Sequence, residues 1–282
     1  MKSLNVYNHK MMCFAIALAA GLFIALSLTP GSVLVGEGIA GDKCEGLPTH
    51  AQLKAAIDYV RANMATGGFD LDMWATIVNR DGIVCAVAFT GSDRGDQWPG
   101  SRVISAQKAN TANAFSLPGL AISTANLYSA VQPGGSLFGL QHSNPVDPGV
   151  AYGGNPENYG TSCDPMTGKK VGGVNVFGGG LALYNSEGRL VGALGASGNS
   201  SCADHNFAWL VRERLDLHHV PNGIGNVTGV GGYYDNIIYD TKVDKATGHT
   251  TSAGGFGHPD CGLGEKAIAE AFPSEHPIPT SE

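Results

Sequence analysis

Apolar and polar positions along this chain follow two periods, one typical of helices and the other typical of strands. Apolar residues recur every three or four positions from Leu53 to Met64, after Thr49, whose hydroxyl can cap a helix. A second helix is predicted over 101–115, which is rich in Ala, Ser, Thr and Asn. A third is predicted over 203–215, which carries apolar side chains on one face.

Two pairs of strand-like runs each surround a turn. The runs 73–79 and 83–89 flank Asp81-Gly82, a turn pair typical of a β-hairpin. The runs 174–184 and 189–196 form the second pair, and three consecutive glycines interrupt the first of them. Two hairpins without a strand–helix–strand repeat predict an α+β fold, with a central antiparallel sheet flanked by helices.

Two long stretches carry neither period. Residues 139–173 are rich in Gly, Pro, Asn and Asp, and an irregular loop of that length in a compact domain is often functional or inserted. Residues 216–282 are Gly-rich and mostly irregular. We therefore expect a main domain at 48–215, with a long inserted loop and a C-terminal extension that packs on it.

The first 40 residues have the pattern of a targeting segment. Lys2 and Lys10 precede an uncharged apolar run at 11–28, and small residues lead to Ala40. This pattern predicts a signal peptide cleaved near Ala40, and a retained N-terminal membrane anchor is the alternative because the run is long. We expect a periplasmic or secreted protein, or a membrane-anchored one that faces the outside.

Composition excludes one class of partner and suggests disulfides. The formal net charge of -7, without a basic cluster, argues against nucleic-acid binding. Export would permit disulfides, and five of the six cysteines follow the N-terminal run. Cys163–Cys202 and Cys44–Cys261 are the preferred pairs and leave Cys85 as a buried thiol, although spacing does not determine connectivity.

Several short motifs, taken together and in this order, match those of a known protein family. They are 75–82, Ser101, Lys108–Ala112, Phe115, 132–135, 177–183 and 188–195. In this order they resemble the GlcG/HbpS haem-binding family over roughly 48–215. The resemblance implies a profilin-like fold, assembly into oligomers and, for some members, export and haem as cofactor. The long loop and the extension depart from the short members of that family.

The helix predicted over 101–115 and the three glycines form the first candidate ligand site. Lys108 and Thr111 lie three positions apart on one helical face, and the Lys could pair with a propionate or bond carbonyls at a subunit contact. Gly178, Gly179 and Gly180 would let a ligand or a helix approach the backbone. They lack the context of a phosphate loop, so nucleotide binding is not expected.

Two histidines are candidate ligands to haem iron. His205 lies near the start of the third helix, and His142 lies in the long loop. The alternative for His205 is a capping role in the first turn of the helix, beside Asp204. The alternative for His142 is an ordinary solvated position on the surface.

Three functional hypotheses follow, and a binding protein ranks first. It would be an exported, oligomeric haem- or tetrapyrrole-binding protein, such as a redox or haem sensor or a carrier. The second is a cofactor-free periplasmic lyase or isomerase on a small organic acid, with Asp204 and His205 as acid–base pair and Lys108 as anchor. The third is a structural subunit of an envelope complex. The enzyme ranks lower because no Ser-His-Asp set or clustered nucleophile is present.

Overall fold

The two predicted hairpins combine into one sheet. The computed structural model describes residues 42–229 and 231–279, so the predicted signal peptide or anchor at 1–40 lies outside the described residues. The four antiparallel strands stand in the order β2-β1-β4-β3. Their bounds are β1 Trp74–Asn79, β2 Val84–Phe89, β3 Gly180–Tyr184 and β4 Leu190–Ser197. The predicted α+β class with a central antiparallel sheet is confirmed.

Seven α-helices surround this sheet in the described part of the chain. Thr49 caps the first of them through a capping box with Gln52, which satisfies backbone amides that the helix start leaves free. The helices are α1 His50–Asn63, α2 Ser101–Phe115, α3 Leu140–Ser143, α4 Pro148–Ala151, α5 Ser201–Arg214, α6 Ile224–Val227 and α7 Glu265–Glu275. Short 3-10 turns occupy Asp42–Cys44, Ala125–Leu127, Ser129–Val131 and Pro156–Asn158. A separate hairpin pairs β5 Thr241–Val243 with β6 Thr250–Ser252.

Side chains alternate across the sheet and bury both of its faces. Ala75 and Ile77 of β1 join a core with α1 and α5, whereas Trp74 and Val78 join a second core with α2. The long loop packs on the α2 side, where Met166 is buried. Each face of the sheet is therefore covered by helices and by one of the two irregular segments.

The C-terminal extension is part of the core on the α5 side. Phe272 of α7 stacks on Trp209 of α5 with ring centroids 5.3 Å apart. Arg212 of α5 forms a bidentate ion pair with Asp235 at 2.6 and 2.9 Å, and both residues are buried. Removing the extension would therefore expose apolar surface and leave a buried guanidinium unpaired.

The predicted disulfide pairs are wrong. The described bridges are Cys44–Cys85 and Cys202–Cys261, so Cys85 is not a buried thiol. Cys163 could not reach Cys202, because its neighbouring residues pack on the α2 side of the sheet while Cys202 lies on α5. The extension instead brings Cys261 to the start of α5.

The strand predicted over 174–184 begins only at Gly180. The preceding Gly179 has φ 114°, a left-handed conformation that side-chain-bearing residues rarely adopt and that ends the pairing there. The segment before it continues as irregular chain beside the long loop.

The Cys202–Cys261 bridge is expected to hold the extension on α5. It spans 59 residues, so the chain-entropy model gives a loss of about 4 kcal/mol of unfolding free energy in a Cys202→Ala/Cys261→Ala variant. Urea unfolding measures this loss, and limited proteolysis should show faster cleavage within 231–279.

The matched control is Cys44→Ala/Cys85→Ala, whose bridge spans 41 residues and joins two residues outside the extension. It should lower stability by a similar amount without making the extension more susceptible. Equal susceptibility in the two variants would show that the bridge does not restrain the extension.

Candidate functional site

Lys108 is satisfied inside the protein. Its Nζ donates to Asp204 Oδ2 at 2.7 Å and to the carbonyl of Ala196 at 3.1 Å, and both members of the ion pair are buried. Asp204 Oδ1 accepts the backbone N–H of Asn199 at 2.8 Å. Burial raises the pKa of Asp204 to about 6, and the Lys108 ammonium limits that rise. A ligand carboxylate would have to displace Asp204 to reach this ammonium.

The three glycines accommodate protein backbone in this fold, that of a helix at Gly178 and Gly180 and that of a strand at Gly179. A Cβ added at Gly178 would lie 2.3 Å from the carbonyl oxygen of Ser201 on α5. One at Gly180 would lie 2.5 Å from the carbonyl oxygen of Lys108 on α2, and Gly179 comes equally close to a carbonyl of β4. Of the two sequence-based alternatives, the structure shows the approach of helices.

Thr111 and His142 lie in different surroundings. The Thr111 hydroxyl is buried, donates to the carbonyl of Gln107 at 2.7 Å and accepts the N–H of Asn175 at 3.0 Å. It therefore ties α2 to the chain before β3. His142 lies on α3 with an exposed side chain, and no described hydrogen bond links it to Lys108.

His205 is enclosed by the extension. Its Nε2 accepts the backbone N–H of Ile237 at 3.0 Å and lies 3.1 Å from Asn236 Oδ1. Complete burial lowers the pKa of His205 to about 3, so the ring is neutral at physiological pH. With His205, Asp204 and Lys108 all buried, the lyase or isomerase hypothesis gains no support from the geometry.

A serine–histidine contact beside this cluster has no signal in the sequence. Ser201 Oγ lies 2.8 Å from His258 Nε2, and His258 Nδ1 donates to the carbonyl of Pro259 at 2.7 Å. The two residues are 57 positions apart, so spacing could not reveal them. The N–H of Gly178 donates to the same Ser201 oxygen at 2.7 Å, so the contact connects the extension, α5 and the segment before β3.

A cavity of about 520 Å³ lies between the start of α2, the preceding loop and the long loop. Three aromatic side chains and two guanidinium groups distinguish its wall. They are Trp74, Tyr152, Tyr159, Arg94 and Arg102. Sequence reasoning missed all five as ligand residues; its only signal was that a long loop in a compact domain is often functional.

Arg102 anchors the wall of this cavity. It makes a bidentate ion pair with Asp164 at 2.8 and 2.5 Å and donates to the carbonyl of Ala151 at 2.8 Å. Its guanidinium carbon lies 3.7 Å from the centroid of the Tyr159 ring. Because both charges are buried and paired, the long loop is held firmly against α2.

The cavity also has groups that could serve a ligand. Arg94 pairs with Glu157 at 2.8 Å, but both side chains are partly exposed, so the pair contributes little and can be exchanged. Tyr152 is 65% exposed. The Nε1 of Trp74 is buried and has no hydrogen-bond partner among the described residues.

Comparison with known proteins agrees with the resemblance. A family model described as "Haem degrading protein HbpS-like" matches residues 48–211, more than half of the chain. No curated protein sequence matches.

Three of the solved structures that match this chain do so over 83% or more of their own length. A PduOC–haem complex shares 24% identity over 59% of this chain and 91% of that chain, with a TM-score of 0.41. Protein ORFY of Klebsiella pneumoniae shares 23% over 60% and 90%, with a TM-score of 0.39. The structure of HbpS shares 15% over 57% and 83%, with a TM-score of 0.35.

A structural role for Lys108 is testable by a double-mutant cycle. Lys108→Met leaves the Asp204 carboxylate buried without its cation and should lower the unfolding free energy by about 3–5 kcal/mol. Lys108→Met/Asp204→Leu removes both charges and should lose less than the sum of the single variants. Urea unfolding measures all three. A Lys108→Met protein of wild-type stability would contradict this role.

His205 should make the protein sensitive to acid. Its folded pKa is depressed, so the unfolded state takes up a proton first as the pH falls below 6.5 and stability is lost. From pH 7 to pH 5 this amounts to about 2 kcal/mol for one buried neutral His.

His205→Gln removes that titration, and urea unfolding at the two pH values should show a correspondingly smaller loss. Both proteins retain Asp204, so its opposite pH dependence cancels in the comparison. Identical pH dependence in the two proteins would contradict the assignment of a neutral His205.

Proposed function

We propose that this chain, which belongs to the HbpS-like family of haem-degrading proteins, binds haem in the cavity between α2 and the long loop. The observation that carries the proposal is the wall of that cavity, where aromatic rings and guanidinium groups occur together. Haem presents a flat apolar ring and two carboxylates, and the wall offers a counterpart to each.

The dimensions and chemistry of the cavity fit such a ligand. Its volume of about 520 Å³ lies in the range of small-molecule and cofactor sites. The exposed ring of Tyr152 provides apolar surface for a planar macrocycle. Arg94 is the cation for a propionate, because its present partner is exposed, whereas Arg102 is committed to Asp164.

The iron ligand would be a tyrosine. Two tyrosines line the cavity, and the Tyr159 hydroxyl donates to backbone carbonyls of the long loop. Tyr152 is the more exposed of the two, and a phenolate is a known protein ligand of haem iron. Bound haem would supply redox chemistry, while the protein side chains hold and orient it.

Export and assembly belong to the same proposal. Two disulfides in the described residues support an oxidising compartment, such as the periplasm or the exterior. Assembly into oligomers is what the family resemblance implies. We infer an exported, oligomeric haem carrier or sensor. Cell fractionation tests the location, and size-exclusion chromatography with light scattering tests the assembly.

Haem titration tests the binding site. The purified full chain should give a saturable Soret band at one haem per chain. Arg94→Ala should weaken binding about tenfold, equivalent to the loss of about 1.4 kcal/mol from one charge-assisted contact. Tyr152→Phe should remove the phenolate-to-iron charge-transfer absorption and shift the Soret maximum.

His142→Ala is the matched control, because His142 is an exposed residue of α3 that does not line the cavity. It should bind haem with an unchanged spectrum. Absence of a Soret band at stoichiometric haem would contradict the proposed function. Loss of binding in His142→Ala, with Tyr152→Phe unaffected, would contradict the proposed site.

A further inference from the structure

We propose that Asp216, His218 and His219 form a binding site for a divalent first-row transition metal. The three residues directly follow α5 and lie apart from the residues that line the proposed haem cavity. Each offers one ligand atom, and these atoms all lie within 4.8 Å of one another. Two imidazoles and one carboxylate are the donor set of many transition-metal sites in proteins.

The distances between ligand atoms are close to those of a bound ion. Asp216 Oδ1 lies 2.9 Å from His219 Nε2 and 4.0 Å from His218 Nδ1. Ligand atoms around an ion with bonds of about 2.0–2.2 Å are separated by roughly 3–3.5 Å. The Asp216–His219 pair is already close to this spacing, and the His218 ring must move toward it on binding.

The backbone holds this segment in place. Asp216 has φ 55°, a left-handed conformation that turns the chain at the end of α5. The next residue, Leu217, is buried, donates its N–H to the carbonyl of Arg212 at 3.1 Å and accepts the N–H of Tyr184 at 2.9 Å. Val220 is also buried. The ligands lie on an anchored template, so binding requires little ordering of the chain.

The three ligand side chains differ in their exposure to solvent, which leaves an ion one accessible side. The Asp216 side chain is 76% exposed and gives access from solvent, whereas those of His218 and His219 are 14% and 21% exposed. The Nδ1 of His218 is buried and has no hydrogen-bond partner within the described part of the chain. A nitrogen without a partner beside a carboxylate is a vacant donor position for a metal.

A cavity next to His219 leaves room for further ligands. It measures about 410 Å³, and Glu187 and Tyr234 also line it. Three protein ligands leave one or more coordination positions for water or a small anion. The donor set favours Zn²⁺, Cu²⁺, Ni²⁺ or Fe²⁺ over Mg²⁺ and Ca²⁺, which prefer all-oxygen sites.

Zn²⁺ is the probe for this site, used with full-length protein that carries no histidine tag. Isothermal titration should show one Zn²⁺ per chain. His219→Ala and Asp216→Asn should each weaken binding by about 10- to 100-fold or more, the scale seen even for outer groups of metal sites. Asn tolerates the left-handed conformation of position 216, so the second variant changes the carboxylate without straining the turn.

Co²⁺ gives a readout that a structural defect would not imitate. Its visible ligand-field bands should appear on binding to wild-type protein and disappear on addition of one equivalent of Zn²⁺. His249→Ala, in the exposed turn between β5 and β6, is the matched control and should leave both metals bound as in wild type.

Two results would overturn the inference. One is unchanged Zn²⁺ affinity in both His219→Ala and Asp216→Asn, which would make the trio only a hydrogen-bonded surface group. The other is Zn²⁺ binding that is lost in His258→Ala and retained in His219→Ala. That pattern would place the metal away from Asp216, His218 and His219, at the start of α5, where the Cys202–Cys261 disulfide leaves no thiolate as ligand.

Discussion

Buried charge must be neutralised, and this requirement organises the whole molecule. Arg102, Lys108 and Arg212 are all buried on the two helices that cover opposite faces of the sheet. Each has a carboxylate partner within 2.7 Å from another part of the chain. An unpaired charge at such a depth would cost several kcal/mol, so these segments must be in place when the domain is folded.

The three pairs join different layers. Lys108 on α2 reaches Asp204 on α5, across the end of the sheet where the glycines allow both helices to come close. Arg102 holds the long loop through Asp164, and Arg212 holds the extension through Asp235. The insertion and the extension are therefore structural parts of the domain, each secured at one buried cation.

In this arrangement the candidate ligand-binding features depend on the long loop and the C-terminal extension. The family motif residues Lys108 and Thr111 make contacts within the protein. The aromatic cavity exists because the long loop lies over the start of α2, and its tyrosines come from that loop. The extension, in turn, closes over His205 and leaves it neutral. Segments that distinguish this chain from short family members are thus also those that shape its cavities.

The sequence by itself determined the local structure. Strand-like runs on either side of a turn, Asp81-Gly82 in the first case and 185–188 in the second, were sufficient for both hairpins, since strand composition and turn chemistry are properties of adjacent residues. Helical spacing was likewise sufficient for α1 and α5, and α2 was predicted from its richness in small residues. The family could also be identified, because its motifs are short and contiguous.

Tertiary structure alone decided the contacts between distant segments. Cys202 pairs with Cys261 and not with Cys163, because the irregular segments cover opposite faces of the sheet. The sequences of the two irregular segments carry no period that would reveal which face each of them covers. Whether Lys108 contacts a ligand or Asp204 depends on where α5 packs. Asp204 lies 96 residues after Lys108, and no local sequence pattern predicts a contact over that separation.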